Sequence, residues 1–191
     1  MKLIAITLAL TFGAGYLVGG RLRHLSALRI RLAPLALIGF TMQLINPPGQ
    51  WPLFMLLGSF VLLWIFAIVN VEIPGFALIV IGVALNFLVI AANDGMPVSK
   101  QALIASGQVD TLGDLVNEAD GYVKHHLAGP DDVVLFLGDV IAIPPPVAQA
   151  ISVGDIFTYG GVAIVVAAGM RRRSRPADGL VRSREPSHAG A

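Results

Sequence analysis

Cysteine is absent from this chain, and charged residues make up only 13% of it. Without thiols the protein cannot form disulfides, thiolate-based zinc or iron–sulfur centres, or a thiol redox site. The glycine-rich nucleotide-binding motif, the nucleophile elbow and the HExxH motif are also missing, which removes the commonest recognisable enzyme classes. A soluble domain has about 25% charged residues. The 55% hydrophobic content found here therefore predicts an integral membrane protein.

Five apolar segments approach the length needed to cross a bilayer, whose core takes about 20 helical residues. We therefore predict an all-α polytopic membrane protein with about five transmembrane helices in a membrane domain over residues 1–170. The predicted spans are approximately residues 3–20, 32–45, 52–69, 76–92 and 155–170, with an outer loop over 93–154. The remaining residues, 171–191, are rich in Arg, Ser, Pro, Gly and Ala and predict a disordered basic cytoplasmic tail.

The uneven distribution of charge predicts the orientation of these helices. Of 13 Lys and Arg residues, 4 lie in the linker 21–31 and 6 in the tail after Met170. The region from Asn93 to Asp155 carries nine acids and two lysines, a net charge of −7. Basic loops stay in the cytoplasm, so we predict an amino terminus outside and a carboxyl terminus inside. The alternative, a cleaved signal peptide over residues 1–20, is disfavoured by the four arginines that follow.

The outer loop contains signals for local structure. Ser99 can cap a short helix that ends near Gly107, and Thr111 with Asp114 has the spacing of a reciprocal capping box for a second short helix. Residues 133–143 are apolar except for one aspartate and are too short to span a bilayer. This run predicts a re-entrant or interfacial segment packed on the helices.

Two aspartates are the candidate catalytic residues. Asp139 interrupts the apolar run, where an ionisable group is costly and usually has a partner or a function. Asp155 opens the last span, and Ser152 precedes it at capping-box spacing, so a helix cap is the structural alternative for this residue. We predict that Asp139 and Asp155 approach one another at the outer membrane boundary. Two close carboxyls can share a proton and act as base and acid toward water.

Other polar residues have structural interpretations. Gln43 and Asn86 lie within predicted spans and Asn70 lies at the end of one, where hydrogen bonding between helices is the default role of a polar side chain. His125 and His126 lie near several aspartates, but adjacent side chains point in different directions, so we predict no metal site. No cofactor and no nucleic-acid partner are predicted.

Four separated blocks of sequence carry a family resemblance. They run from Ala91 to Ser99, from Lys124 to Asp131, from Leu135 to Ile141 and from Ser152 to Asp155. In these blocks, and in the Gly-Arg-Leu linker after the first helix, the chain resembles the bacterial membrane family known as domain of unknown function 5317, over about residues 1–170. The resemblance implies a protein of the bacterial cytoplasmic membrane and implies no activity. Its motif residues make the outer face the expected ligand-binding face: Asn93, Gly95, Met96, Pro97, Ser99, His125, Gly138, Ser152 and Gly154.

The placement of Asp155 is also similar to that in lipoprotein signal peptidase, a membrane aspartyl peptidase whose second catalytic aspartate opens its final helix. The Asn-x-Ala-Asp pattern of that family is Ser152-Val153-Gly154-Asp155 here, and the Asn and Arg that flank its first aspartate are absent around Asp139. The peptidase also has two spans between its Asn-Gly loop and that aspartate, where this chain has none. The similarity is therefore one of placement.

Three functions are compatible with these features. The preferred one is a non-enzymatic binding or accessory module, which is embedded in the lipid bilayer and meets an envelope ligand or a membrane-protein partner through its outer loop. The second is an intramembrane aspartyl hydrolase that uses Asp139 and Asp155. The third is a small transporter, which is disfavoured because the sequence has no internal repeat and few polar residues at mid-membrane.

Overall fold

Helices follow the apolar runs of the sequence. A computed structural model describes residues 2–17, 19–45, 47, 51–117 and 124–171. Within these ranges lie seven α-helices: α1 (Lys2–Leu17), α2 (Ala33–Leu44), α3 (Trp51–Val69), α4 (Phe76–Ala92), α5 (Lys100–Ser106), α6 (Val109–Asn117) and α7 (Val153–Arg171). They also contain four short strands: β1 (Met96–Val98), β2 (His125–Leu127), β3 (Ile141–Ile143) and β4 (Gln149–Ile151). Two 3₁₀ turns cover Leu22–Ala27 and Leu135–Leu137.

Each of the five predicted spans coincides with a helix, in which the backbone hydrogen bonds are made within the segment itself. The helices α1, α2, α3, α4 and α7 differ from the predicted bounds by three residues at most. Two of them, α3 and α7, have 19 residues each and are long and apolar enough to cross a membrane. The other three are shorter apolar helices.

Glycines allow α7 to pack closely between α4 and α1. A Cβ atom at Gly161 would lie 2.6 Å from the carbonyl oxygen of Gly75, and one at Gly82 would collide with the backbone of Gly154. On the other side of α7, a Cβ at Gly15 would lie 2.5 Å from the sulfur of Met170. Because α4 also packs on α3, and α3 on α2, the helices are arranged in the order α1, α7, α4, α3, α2.

One end of the bundle, here called the linker end, is closed by residues 21–31. The backbone N–H of Arg21 donates to the carbonyl oxygen of Met170 at 3.0 Å, and Nδ1 of His24 lies 3.0 Å from the same oxygen. Asn70 follows α3 and binds the backbone of Arg31 in both directions, each at 2.8 Å. The prediction that Asn70 joins two helices is therefore wrong, since its amide joins α3 to the linker.

The predicted hydrogen bonds of Gln43 and Asn86 do join helices. Nε2 of Gln43 donates to Oγ of Ser59 at 3.0 Å and connects α2 with α3. Asn86 connects α4 with α7 through the side chain of Asp155. Both bonds place polar groups between helices that are otherwise apolar.

The described part of residues 93–152 forms a small cap on the opposite end of the bundle, here called the cap end. β1 pairs in parallel with β2, with Met96 opposite His125, and β3 pairs antiparallel with β4, with Ile141 opposite Ile151. α5 packs on β3 and β4, and α6 packs on β2. The cap has its own apolar core, which includes Val98, Ala102, Leu103 and Ala150.

These strands correct the all-α prediction, which is right for the bundle and wrong for the cap. Each strand has three residues, too few for the alternation of apolar and polar side chains to appear in the sequence. The partners Met96 and His125 are also far apart along the chain. Local sequence patterns could not reveal such a pairing.

The local predictions within the cap had different outcomes. Ser99 caps α5 as predicted, since its Oγ accepts the N–H of Ala102 at 3.3 Å and the helix ends at Gly107 with a φ of 80°. The second helix, α6, begins at Val109, so Thr111 lies inside the helix and is not its cap. Residues 118–123 and the predicted disordered tail, apart from Arg171, lie outside the described residues.

The apolar run 133–143 packs on the bundle through Val134 and Leu137, whereas its last three residues form β3 in the cap. Leu137 belongs to the same buried cluster as Val89 and Ile90 of α4, and Val134 packs against this cluster. Val134 has a φ of 48°, a conformation that is strained for a β-branched residue. Burial of its side chain therefore helps to hold a turn that the backbone alone would disfavour.

Candidate functional site

The amino-terminal end of α7 forms the predicted capping box. Oγ of Ser152 accepts the backbone N–H of Asp155 at 2.9 Å, and Oδ2 of Asp155 accepts the backbone N–H of Ser152 at 3.4 Å. The two side chains thus satisfy N–H groups that have no partner within the helix. The structural alternative for Asp155 is present in full.

Asn86 of α4 extends this capping box into a network between two helices. Its Oδ1 accepts the hydroxyl of Ser152 at 2.8 Å, and its Nδ2 donates to Oδ1 of Asp155 at 2.8 Å. Asn86 and Ser152 are both buried. Gly154 makes this approach possible, because a Cβ there would lie 2.7 Å from Cγ of Asn86. Both carboxylate oxygens of Asp155 therefore accept hydrogen bonds from the protein.

Asp139 lies beside this network and is held by its backbone. Its N–H donates to the carbonyl oxygen of Pro97, and its own carbonyl oxygen accepts the N–H of Ser99, each at 3.0 Å. Asp139 thereby pairs in parallel with Val98, on β1. Gly138 presses against the same strand, since a Cβ there would lie 2.5 Å from the carbonyl oxygen of Pro97.

The side chain of Asp139 is the unusual part of the site. Its Oδ1 is buried and has no hydrogen-bond partner among the residues that the structure describes. Burial, and then the charge of Asp155, raise the pKa of Asp139 well above its usual value. The charge of Asp155 thus acts on Asp139, and the close approach of the two carboxyls stays a prediction. The hydroxyl of Tyr159, one turn into α7, is close enough to interact with the charge of both.

The remaining motif residues hold the cap on the bundle. Asn93, after α4, binds the backbone of Val133 in both directions, at 2.7 and 3.0 Å. Gly95 adopts a φ of 155°, which favours glycine, and turns the chain into β1. Met96 contributes to the core between cap and bundle. These residues position the strand beside which Asp139 lies.

Lys124 contacts the end of α2, which the sequence analysis did not predict. Its Nζ donates to the carbonyl oxygens of Gln43 and Ile45, at 2.8 and 2.9 Å. A cation at this position complements the negative end of the α2 dipole. Lys124 is buried, and burial lowers its pKa. The sequence contained one signal for this residue. Lys124 is one of only two lysines between Asn93 and Asp155, a region with nine acids.

The two histidines of β2 have different environments. Nε2 of His126 lies 2.8 Å from Oδ1 of Asp132, whose other oxygen accepts the N–H of Gly129 at 2.8 Å. Burial opposes the ionisation of Asp132, but these bonds hold its pKa below the usual value. For His125, burial and then the charges of Lys124 and His126 lower the pKa to about 4. Within the described ranges, no group of three or more His, Asp or Glu side chains has a metal-binding arrangement.

A known protein family matches most of this chain. Residues 21–167 match the "Family of unknown function (DUF5317)". The chain belongs to this family. A relative of this DUF5317 chain, an "Uncharacterized protein" of Thermotoga maritima, is 33% identical over 142 residues, which are 73% of this chain and 76% of that protein. No solved structure matches the chain.

The family match confirms the resemblance carried by the four sequence blocks, and the similarity to lipoprotein signal peptidase stays a prediction. In this DUF5317 chain the blocks converge on one place, where β1, the segment around Asp139 and the start of α7 meet. Chemically, the site combines a carboxyl with two hydrogen-bonded oxygens, Asp155, and a second carboxyl with a buried oxygen that lacks a partner among the described residues, Asp139. Such a pair can hold a proton or a small cation, or can activate a water.

Proposed function

We propose that the chain is a multi-pass protein of the bacterial cytoplasmic membrane, and that its cap is a non-enzymatic binding or accessory module on the outer face. The spans are α1, α2, α3, α4 and α7. The partners would be the lipid bilayer and either an envelope ligand or another membrane protein that meets the cap.

The surfaces of the helices support the membrane part of this proposal. Only 22% of an apolar 18-residue stretch of α3, and 28% of the corresponding stretch of α7, is buried inside the protein. The core helix of a soluble protein would be mostly buried, whereas a helix that faces lipid is apolar on its exposed side as well. Large side chains such as Trp51, Phe54 and Trp64 are exposed on α3, and a lipid environment would cover them.

The separation of charge supports the orientation. The four arginines of the linker belong to the linker end, where residues 21–31 bind the end of α7 and the end of α3. The cap end carries most of the acids of the chain. Placing the linker end in the cytoplasm agrees with the tendency of basic loops to remain inside.

One observation carries the non-enzymatic interpretation of the cap: the protein itself uses both carboxylate oxygens of Asp155. Asn86 donates to one oxygen and the Ser152 backbone to the other. A catalytic aspartate must turn its carboxyl toward water and substrate. The motif residues Asn93, Ser99 and Ser152 likewise bind other parts of the chain, which fits a fixed platform for a partner.

An aspartyl hydrolase is the second candidate, and Asp139 favours it. Its Oδ1 is buried without a partner among the described residues, and its carboxyl interacts with that of Asp155. A pair in which one member holds the proton can divide the work between acid and base. In this mechanism Asp155 would accept a proton from water while Asp139 donates one to the leaving group.

Replacement of each aspartate by Asn separates the two candidates, because Asn keeps the shape of the side chain and cannot transfer a proton. We expect Asp139→Asn and Asp155→Asn to rescue the phenotype of a gene deletion when they accumulate in the membrane at normal levels. Asp94→Asn, at an exposed position of the same cap, is the matched control. Loss of rescue in each folded single variant, with no further loss in the double variant, would instead support a catalytic or ligand-binding unit formed by the two aspartates.

A further inference from the structure

The buried oxygen of Asp139 requires compensation that the described residues do not supply. The backbone of Asp139 is bonded on both sides to β1, through Pro97 and Ser99, so the residue cannot leave its position without breaking the strand pairing. A buried carboxylate without a hydrogen bond or a counter-charge is strongly disfavoured. The residue as a whole keeps partial exposure, although Oδ1 is buried.

The neighbouring groups add negative charge. Asp155 and Tyr159, both on α7, are the titratable groups whose interaction with Asp139 is evident. On the other side, β1 offers Met96, Pro97 and Val98, none of which titrates. Within the part of the chain that the structure describes, the ion pair that forms is between His126 and Asp132, and no basic side chain pairs with Asp139 or Asp155. The charge of the chain's amino terminus acts on Asp155, whereas no cation among the described residues acts on Asp139.

Asn86 and Ser152 make the two carboxyls unequal. Hydrogen bonds from both residues reach Asp155, and hydrogen bonds to a carboxylate stabilise its charged form. The start of α7 also favours a negative charge at this residue. Asp139 has neither such hydrogen bonds nor a helix start to stabilise its charged form. Any positive charge that enters the site is therefore expected at Asp139.

We propose that Asp139 and Asp155 form a binding site for one positive charge, a proton or a monovalent metal cation, which sits at the Asp139 carboxyl while Asn86 and Ser152 hold Asp155 as the counter-charge. The packing around the pair is close. A Cβ at Gly138 would lie 2.5 Å from the backbone of β1, and one at Gly154 would lie 2.7 Å from Asn86. This closeness favours a proton or a small ion over an organic cation.

Infrared spectroscopy of the purified full chain in nanodiscs tests the proton form of this proposal. At neutral pH we expect a carbonyl band of a protonated carboxylic acid that shifts when the aspartate carboxyls are labelled with ¹³C. The band should disappear in Asp139→Asn and persist in Asp94→Asn. Isotope labelling assigns the band to an aspartate in the unaltered protein, and the two variants decide whether that aspartate is Asp139.

Thermal unfolding tests the metal-cation form. If no acid band is present, Na⁺ or K⁺ should raise the unfolding temperature relative to choline at equal ionic strength, and this increase should be lost in Asp139→Asn but not in Asp94→Asn. Absence of both the acid band and the cation effect would overturn the proposal. Neither readout depends on the deletion phenotype, so the proposed function and this inference can fail separately.

Discussion

Asparagine side chains connect distant parts of this protein, which has no cysteine. Asn70 binds the backbone of Arg31, and Asn93 binds the backbone of Val133, each through both the donor and the acceptor of its amide. Asn86 joins Ser152 and Asp155 in the same two-way manner. An amide can do this because it presents a donor and an acceptor side by side. At the residue scale, the hydrogen bonds of these three side chains connect segments that are distant along the chain.

Comparison of the two serine helix caps measures how much the hydrogen bonds of Asn86 contribute to stability. Ser99→Ala removes a helix cap alone and should cost about 1 kcal/mol. Ser152→Ala removes a cap and also leaves the buried Oδ1 of Asn86 without its donor, which adds roughly 1–3 kcal/mol. We expect the second variant to be clearly less stable in detergent-induced unfolding. Equal losses would contradict the energetic role of Asn86.

Acidification should weaken the cap through His125. Its pKa is lowered from 6.5 to about 4, so between these values the unfolded chain takes up a proton that the folded protein does not. The contribution of His125 to stability is therefore constant above pH 6.5 and falls as the pH decreases toward 4, by at most about 1.4 kcal/mol per pH unit. His125→Gln should reduce this slope in unfolding measurements between pH 7 and roughly pH 4. An unchanged slope would exclude His125 as its source.

At the scale of elements, the sequence was informative wherever the cause of a structure is local. The lengths of the apolar runs predicted the five long helices. Ser99 and Ser152 predicted where α5 and α7 begin, because each serine accepts a backbone N–H only three residues further along the chain. The prediction for Thr111 was wrong because α6 begins before it, at Val109. The pairing of β1 with β2, the bonds of Lys124 to the end of α2 and the partners of Asn86 depend on residues tens of positions apart. Such contacts follow from packing, which one sequence does not display.

The crossing of α4 and α7 depends on glycine at some positions and not at others. Gly154→Ala would place a Cβ 2.7 Å from Cγ of Asn86 and force the helices apart, with an expected cost of about 1–3 kcal/mol. A Cβ at Gly160, on the same helix, would meet nothing within 4 Å. Gly160→Ala should therefore be neutral or stabilising by up to about 1 kcal/mol. Unfolding in mixed micelles compares the two, and similar effects would refute the close crossing.

At the scale of the whole molecule, the two ends of the bundle differ in chemistry. The linker end is basic and simple, whereas the cap end is acidic and carries strands, short helices and the paired aspartates. Five spans, as proposed, place these ends on opposite sides of the membrane. The candidate site then faces the compartment outside the cytoplasm, close to the bilayer surface.

Cysteine labelling in intact cells checks this arrangement. Because the chain has no native cysteine, single replacements report on one position each. Ala105→Cys, at an exposed position of α5, should react with an impermeant maleimide. Ser174→Cys should react only after the cells are opened. The reverse pattern would overturn the orientation, and labelling of both in intact cells would rule out an odd number of spans between them.

The position of α7 between α4 and α1 has a consequence for biogenesis. α1 packs on α7, with Gly15 against Met170, so in the proposed membrane arrangement this contact forms only after the segments between the two helices have been synthesised. The same late helix brings Asp155 to Asn86 and completes the site. Synthesis that stops before residue 153 therefore leaves Gly15 of α1 and Gly82 of α4 without the helix that packs on them.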